Sequence, residues 1–441
     1  MSTQMQEACA GIITPAMITV AEREHRSPEF IRQEVAAGTI VIPANHHHLH
    51  LEPVGIGRAL YTKINANIGN STLSSCPRQE LEKLHTAIQY GADTVMDLST
   101  GGNIPQIRQN LIHHSVAPIG TVPVYEMVAR QGIDNLSRDL VLQVIKEQAE
   151  QGVDYMTIHA GLLRQYIPMA VKRKLGIVSR GGALLADWMT RKNRENPFYE
   201  FFDEILEICQ AHDVTLSLGD GMRPGCLADA SDEAQFAELD TLGELVFRCR
   251  KAGVQAMVEG PGHIPLDQIE MNMKREQEIC GDAPFYILGP LVTDYAPGFD
   301  HMVAAMGGMM GAYYGAAMLC YVTPKEHLGL PNNQDVRRGI TAFKIAAHAA
   351  DIALQKPLAR GRDDAISDAR AAFDWEAQFK LAVDPERARN YREEALQESC
   401  STHTNPLHGT EYCSMCGPDF CSVRLSARLK NSYQQKEKSN D

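Results

Sequence analysis

Three cysteines near the C-terminus, Cys413-Ser-Met-Cys416-Gly-Pro-Asp-Phe-Cys421, stand within nine residues on a turn-forming backbone. Three thiolates can hold three irons of a [4Fe–4S] cube and leave the fourth iron open to a second molecule. The same spacing suits structural zinc, with Cys400, His403 or His408 as the missing partner, because Cys₃His sites are common. His263 follows Glu-Gly-Pro-Gly and His327 follows Thr-Pro-Lys-Glu. Two loop imidazoles suit zinc or ferrous iron and leave coordination positions for water or substrate, whereas a lone loop His is more often simply hydrogen-bonded. Ser179-Arg180-Gly181-Gly182 and Asp220-Gly221-Met222-Arg223-Pro-Gly pair glycines, which let backbone N–H groups approach an anion, with arginines, which grip phosphate as a fork. Either is otherwise an ordinary Gly-rich turn with a solvated arginine. Asn65 and Asn67 can orient a ligand through their amides or cap turns. In His46-His47-His48-Leu49-His50 adjacent imidazoles cannot all face one ion, so a non-metal role is expected.

Short β-branched or apolar runs must position these groups, at 62–70, 92–102, 117–125, 153–161, 176–182, 214–225, 254–263, 285–290 and 317–327. Amphipathic segments at 79–91, 140–152, 202–212 and 236–253 alternate with them. The spacing predicts an α/β chain, a (β/α)₈ TIM-like barrel, and not a doubly wound sheet, because no strand leads into a G-x-G-x-x-G turn. The polar residues at strand ends (Asn67, Asp97, Tyr125, His159, Ser179, Arg180, Asp220, Arg223, Glu259, His263 and His327) are then expected to ring one mouth. The expected organisation is an N-terminal region over 1–60, the barrel over 61–339, C-terminal helices over 340–398, a Cys-rich cluster-binding segment over 399–425 and a disordered tail over 426–441. Met302 to Val322 carries no charge and places Gly307, Gly311 and Gly315 four residues apart, as membrane helices do. With no second such segment, it reads as a tight helix running into a core strand.

The chain has 441 residues, a formal charge of −13 and 44% hydrophobic residues, enough apolar material for a large core. The acidic balance excludes general nucleic-acid binding, which needs clustered Lys and Arg, and points to a small-molecule partner. Eleven cysteines spread over this length do not form the dense framework of a small secreted domain. The first residues lack the basic and apolar design of a secretory signal, so a cytoplasmic location and no membrane are expected.

Taken together, KINANIGNS, DTVMDLSTG, GTVPVY, GVDYMTIHAG, GIVSRGG, SLGDGMRPG, VEGPGH, APFYILGPL, MLCYVTPKEHLGLP and CSMCGPDFC resemble the phosphomethylpyrimidine synthase family over about residues 1–425. These are the radical S-adenosylmethionine enzymes of thiamine-pyrimidine synthesis. The family includes a paralogue, anaerobic 5-hydroxybenzimidazole synthase, which feeds the lower ligand of cobamides; both act on 5-aminoimidazole ribotide. The resemblance implies that Cys413, Cys416 and Cys421 hold a [4Fe–4S] cluster whose open iron chelates S-adenosylmethionine. It implies ribotide contacts by Asn67, Met96, Tyr125, His159, Ser179, Arg180, Gly181, Asp220, Gly221, Met222, Arg223, Glu259 and Tyr286, with Glu259, Asp220 and His159 as proton-transfer groups. His263 and His327 match its second metal site, Zn²⁺ or Fe²⁺. An electron donor such as flavodoxin or ferredoxin and a homodimer are also implied. The sequence departs from the synthase pattern at Asn45–His50, at Met222 (usually Leu) and at Ala312-Tyr313-Tyr314-Gly-Ala-Ala (usually Trp-Phe-Gly-Cys-Ala). These changes are expected near pocket-lining loops, which favours the 5-hydroxybenzimidazole reading over the pyrimidine one. A rival of another class is a non-radical aldolase or hydrolase using the His263/His327 metal, with structural zinc on the cysteines.

Overall fold

A computed structural model of the chain describes residues 2–71, 76–398, 412 and 415–440. Two compact units emerge, residues 1–357 and 358–441.

In the first unit eight parallel strands close into a barrel: β1 (Lys63–Ile68), β2 (Thr94–Asp97), β3 (Ile119–Thr121), β4 (Tyr155–Ile158), β5 (Thr215–Leu218), β6 (Ala256–Gly260), β7 (Phe285–Leu288) and β8 (Met318–Cys320). Each pairs with its sequence neighbour, and β8 closes on β1 with Leu319 beside Ile64. The strands are buried on both faces, which is why they read as short apolar runs rather than as alternating ones. All their C-terminal ends face one way, as the sequence requires.

One expected strand is absent. Residues 176–182 form an irregular approach to the helix Arg180–Lys192, with Ser179 as its N-cap accepting from the Gly182 N–H at 3.2 Å. A Ser followed by two glycines stops a strand and opens a helix. The helix Asn333–Ala353 begins seven residues before the expected 340; Asn332 and Asp335 form its capping box. It follows β8 and buries Val336, Ile340 and Phe343 in the main core, so it belongs to the barrel's outer ring and not to a separate helical segment. The uncharged stretch after Met302 is the helix Asp300–Tyr313 leading into β8. A Cβ on Gly307 would lie 2.0 Å from the Pro290 carbonyl oxygen, and one on Gly311 would lie 2.3 Å from Ile287, so these glycines let the helix sit against β7 and its loop. Among the described residues no helix is long and apolar enough to cross a membrane.

Three helices, Gln4–Cys9, Pro15–Glu24 and Pro28–Ala37, and a two-residue strand pair (Ile40–Val41 with Ile56–Gly57) precede β1 and share a small core of their own. They stop the end of the barrel opposite the mouth. Gln255, just before β6, holds both the N–H and the carbonyl of Ile42, and Asp154, just before β4, receives the Asn45 N–H at 3.1 Å and His48 Nδ1 at 2.7 Å.

The second unit holds the helices Gly361–Ala371, Trp375–Leu381, Pro385–Glu398, Gly417–Phe420 and Ser422–Asn440. Arg389 pairs with Glu376 at 2.6 Å, and the Arg392 guanidinium lies 4.1 Å from the Trp375 ring centroid. The tail expected to be disordered from 426 is instead the last turns of a helix, because Ser-Val-Arg-Leu-Ser-Ala-Arg-Leu-Lys is rich in helix formers and free of Gly and Pro.

Candidate active site at the barrel mouth

The side chains at the C-terminal ends of the strands line a cavity that opens to solvent. Its lining includes Asn67, Met96, Tyr125, His159, Asp220, Arg223, Glu259 and Tyr286, residues from seven different strands or the loops just after them. The floor is a hydrogen-bonded net centred on Asn65. Its Oδ1 accepts from the hydroxyls of Thr94 (2.9 Å) and Tyr155 (2.8 Å), and its Nδ2 donates to Asn67 Oδ1 (2.8 Å) and the Tyr286 hydroxyl (2.7 Å). Gly120 makes room for this net, since a Cβ there would lie 2.2 Å from the Tyr155 ring.

Glu259 accepts hydrogen bonds from the Thr157 hydroxyl at 2.7 Å and the Ser217 hydroxyl at 3.0 Å. Burial still pushes its carboxyl up, against those bonds and the nearby Arg223 charge. Asp220 meets Arg223 through one oxygen at 3.1 Å, while Oδ2 is buried without a partner among the described residues. Burial lifts the Asp220 carboxyl to about 8 although Arg223 pulls the other way. His159 is held by Ser179, with Nε2 3.1 Å from the hydroxyl, and its Nδ1 is buried without a partner among the described residues. Burial, aided by Arg223, drives its pKa down to about 3, so the imidazole is neutral throughout the physiological range.

Ser179, Gly181, Gly221 and Met222 stand behind this wall and not in it. A Cβ on Gly181 would fall 2.4 Å from the His159 ring, and one on Gly182 would fall 2.3 Å from the Gly221 carbonyl oxygen. Close packing of two loops therefore explains both glycines without a ligand. Arg180 is exposed at the rim, its guanidinium 5.0 Å from the Tyr125 ring centroid. The first turn of the helix Arg180–Lys192 is a favourable place for an anion, with two arginines in the adjoining segments. The loop Asp220–Arg223 is gripped from behind by Glu238, whose Oε2 accepts from the Met222 N–H at 2.7 Å. Glu238 is 2% exposed, and burial holds its carboxyl well above the usual range. Sequence reasoning passed over Glu238, Thr157 and Cys320. Cys320 lies in the lining with the Asn67 amide 3.1 Å from its sulfur, and only its position at a strand's C-terminal end signalled it.

His263 and His327 come together, with ring centroids 5.4 Å apart. An isolated bridge from His263 to Leu291 brings the loops after β6 and β7 side by side, and Asp294 Oδ1 sits 2.8 Å from His263 Nδ1. Asp300 Oδ1 lies 3.5 Å from His327 Nδ1. Among the described residues no group of three or more His, Cys, Asp or Glu is placed to hold a metal ion. Each imidazole has a carboxylate beside its Nδ1, the pairing found in carboxylate–histidine–metal sites, so these two are the residues that could hold a divalent ion. In the second unit Cys416 and Cys421 flank the four-residue helix Gly417–Phe420 as free thiols, a donor set suited to an iron–sulfur cluster. Cys413, like Cys400, His403 and His408, lies outside the described residues.

Residues 3–428 match the model of the radical SAM ThiC family. The chain belongs to that family. It is 58% identical over 426 residues to a protein of Natronomonas pharaonis named phosphomethylpyrimidine synthase, covering 96% of this chain and 88% of the relative. A Halobacterium salinarum protein of the same name is 58% identical over 433 residues, covering 98% and 90%. Among solved structures, dihydropteroate synthases of Coxiella burnetii (13% identity, TM-score 0.40, 66% of this chain and 94% of that one) and Thermus thermophilus (12%, 0.40, 68% and 98%) are similar only loosely. These relatives carry the name of the pyrimidine-forming enzyme and not that of the benzimidazole-forming paralogue, which the sequence departures favoured. The positions of those departures explain the discrepancy. Asn45–His50 seals the end opposite the mouth, with His48 buried between Asp154 and the Ser115 carbonyl. Ala312–Ala317 leads into the N-terminal end of β8, at that same end. Met222 is fully buried and turned out of the cavity lining. None of the three lines the cavity at the mouth.

Proposed function

We propose that the chain converts 5-aminoimidazole ribotide to 4-amino-5-hydroxymethyl-2-methylpyrimidine phosphate, using S-adenosylmethionine and a [4Fe–4S] cluster on Cys413, Cys416 and Cys421. The observation that carries this reading is the 58% identity, over nearly the whole chain, to relatives bearing that enzyme's name. The mouth supports it. Arg223, Arg180 and the first turn of the helix Arg180–Lys192 suit the ribotide phosphate, and the Asn65–Asn67–Tyr286 net offers fixed amide and hydroxyl groups to a polar heterocycle. When bound, the cluster and S-adenosylmethionine supply a 5′-deoxyadenosyl radical able to take a hydrogen atom from the ribose. The protein's own part is to orient the ribotide, exclude water and handle protons. With its carboxyl lifted to about 8, Asp220 is protonated near neutrality and suits a proton donor. Neutral His159, with Nδ1 open, suits a hydrogen-bonding partner rather than a cation. Burial-raised Glu259, held by Thr157 and Ser217, is the third proton-transfer group. His263 and His327 would hold Zn²⁺ or Fe²⁺. The reading carries with it a one-electron donor such as flavodoxin or ferredoxin, a homodimer and a cytoplasmic location.

The test is anaerobic turnover of 5-aminoimidazole ribotide by reconstituted protein with S-adenosylmethionine and reductant, with the product identified by mass and absorbance. The pyrimidine phosphate is expected. Production of 5-hydroxybenzimidazole would replace the product assignment, and absence of turnover by protein carrying about four irons per chain would remove the ribotide reading altogether.

A further inference from the structure

At the end of the barrel opposite the mouth lies a second, open cavity of about 350 Å³, lined by Arg26, Arg58, Ala59, Tyr313, Tyr314, Gly315, Leu354, Gln355 and Lys356. Three of its nine lining residues are cationic and none is acidic, in a chain whose formal charge is −13. Two of the cations are matched by carboxylates outside the lining: Lys356 by Asp351 at 2.8 Å and Arg58 by Asp282 at 3.1 Å. Arg26 is not. Its Nη2 donates to the Ala59 carbonyl at 3.0 Å and its guanidinium lies 5.3 Å from the Phe30 ring centroid, but its Nε has no hydrogen-bond partner and no carboxylate pairs with it among the described residues. The nearest candidate by sequence, Glu24, is already committed to Lys63 at 2.8 Å and to the Tyr61 N–H at 2.7 Å. Burying guanidinium N–H groups is costly unless they find an acceptor.

Tyr313 and Tyr314 form an aromatic wall of this cavity. Their rings meet edge to face with centroids 5.2 Å apart. Gly315 follows with φ +122°, and a Cβ there would lie 2.2 Å from Gln277 Nε2, so the turn that presents the tyrosines requires glycine. We propose that this cavity binds a small anion carrying a planar ring, an aromatic phosphate being the best match: Arg26 takes the anionic group, with Arg58 and Lys356 adding positive field, and the Tyr313–Tyr314 pair offers one aromatic wall to the ring. The site is separate from the mouth and does not depend on the reaction performed there.

Isothermal titration of the full chain with phenyl phosphate and with inorganic phosphate tests this. Two variants isolate the cavity: Arg26→Ala removes the unpaired cation, and Leu354→Glu sets a carboxylate at a partly exposed position of the lining. The wild type is expected to bind phenyl phosphate at least tenfold more tightly than inorganic phosphate, and each variant to lose tenfold or more of the phenyl phosphate affinity. Tyr314→Ala is expected to erase the preference for the ring while leaving inorganic phosphate binding in place. If Leu354→Glu folds and binds phenyl phosphate as the wild type does, all binding belongs to the mouth and the proposal is wrong; absence of binding by the wild type overturns it equally.

Discussion

Replacing Glu238 by alanine isolates how much of the mouth's geometry is held from behind. The carboxyl accepts from the Met222 N–H at 2.7 Å, inside a wall where Glu238 is 2% exposed. Removing it strands a buried backbone donor, the Met222 N–H, at about 1–3 kcal/mol for such a group. It also leaves a void beneath the loop that carries Asp220 and Arg223, so the total loss is about 2–4 kcal/mol. Glu238→Gln keeps an acceptor in place and should cost less than about 1 kcal/mol, because a carboxyl held well above its usual range by burial is largely uncharged there already. Denaturant titration of both variants, paired with anaerobic kinetics, reads the two effects. Glu238→Ala should lose stability and raise KM for the ribotide about tenfold, since misplaced Arg223 loosens the phosphate, while Glu238→Gln stays near wild type. Equal stability and equal KM in the two variants would refute the reasoning.

Other substitutions test neighbouring steps. Asp220 has a folded pKa of about 8 against an ordinary value of 3.8, so between those values the folded chain keeps a proton that the unfolded chain releases. Stability therefore falls as pH rises through that window, and Asp220→Asn should flatten the decline in thermal unfolding temperature between pH 5 and 8 while abolishing turnover; an unchanged slope counts against the buried neutral acid. Gly181→Ala drives a methyl group into the His159 ring and should lower kcat/KM about 10²-fold with the fold intact by circular dichroism. Cys421→Ala should lose the iron–sulfide absorbance and S-adenosylmethionine cleavage together; a variant retaining both excludes this thiol as a ligand.

The barrel was legible because each strand is a short apolar run closed by a polar residue, and the mouth followed because such ends converge. GIVSRGG misled, since Ile177 and Val178 look like a strand, whereas Ser179 as an N-cap and two glycines set by packing against His159 and Gly221 make it a helix entrance. Glu238 was invisible for a related reason. It sits mid-helix in an ordinary amphipathic stretch, and only the three-dimensional approach of the loop at Met222 gives it work. The departures at Asn45–His50 and Tyr313–Tyr314 stand out in the sequence as clearly as any active-site residue, but strand direction, which no local motif encodes, sends them to the far end.

The net around Asn65 has an evolutionary corollary. One amide joins Thr94, Tyr155, Asn67 and Tyr286, so exchange of any of them strands a dipole belonging to another. Such a floor resists piecemeal drift, and descendants acquiring new specificity would be expected to remodel the walls first and inherit the foundation unchanged.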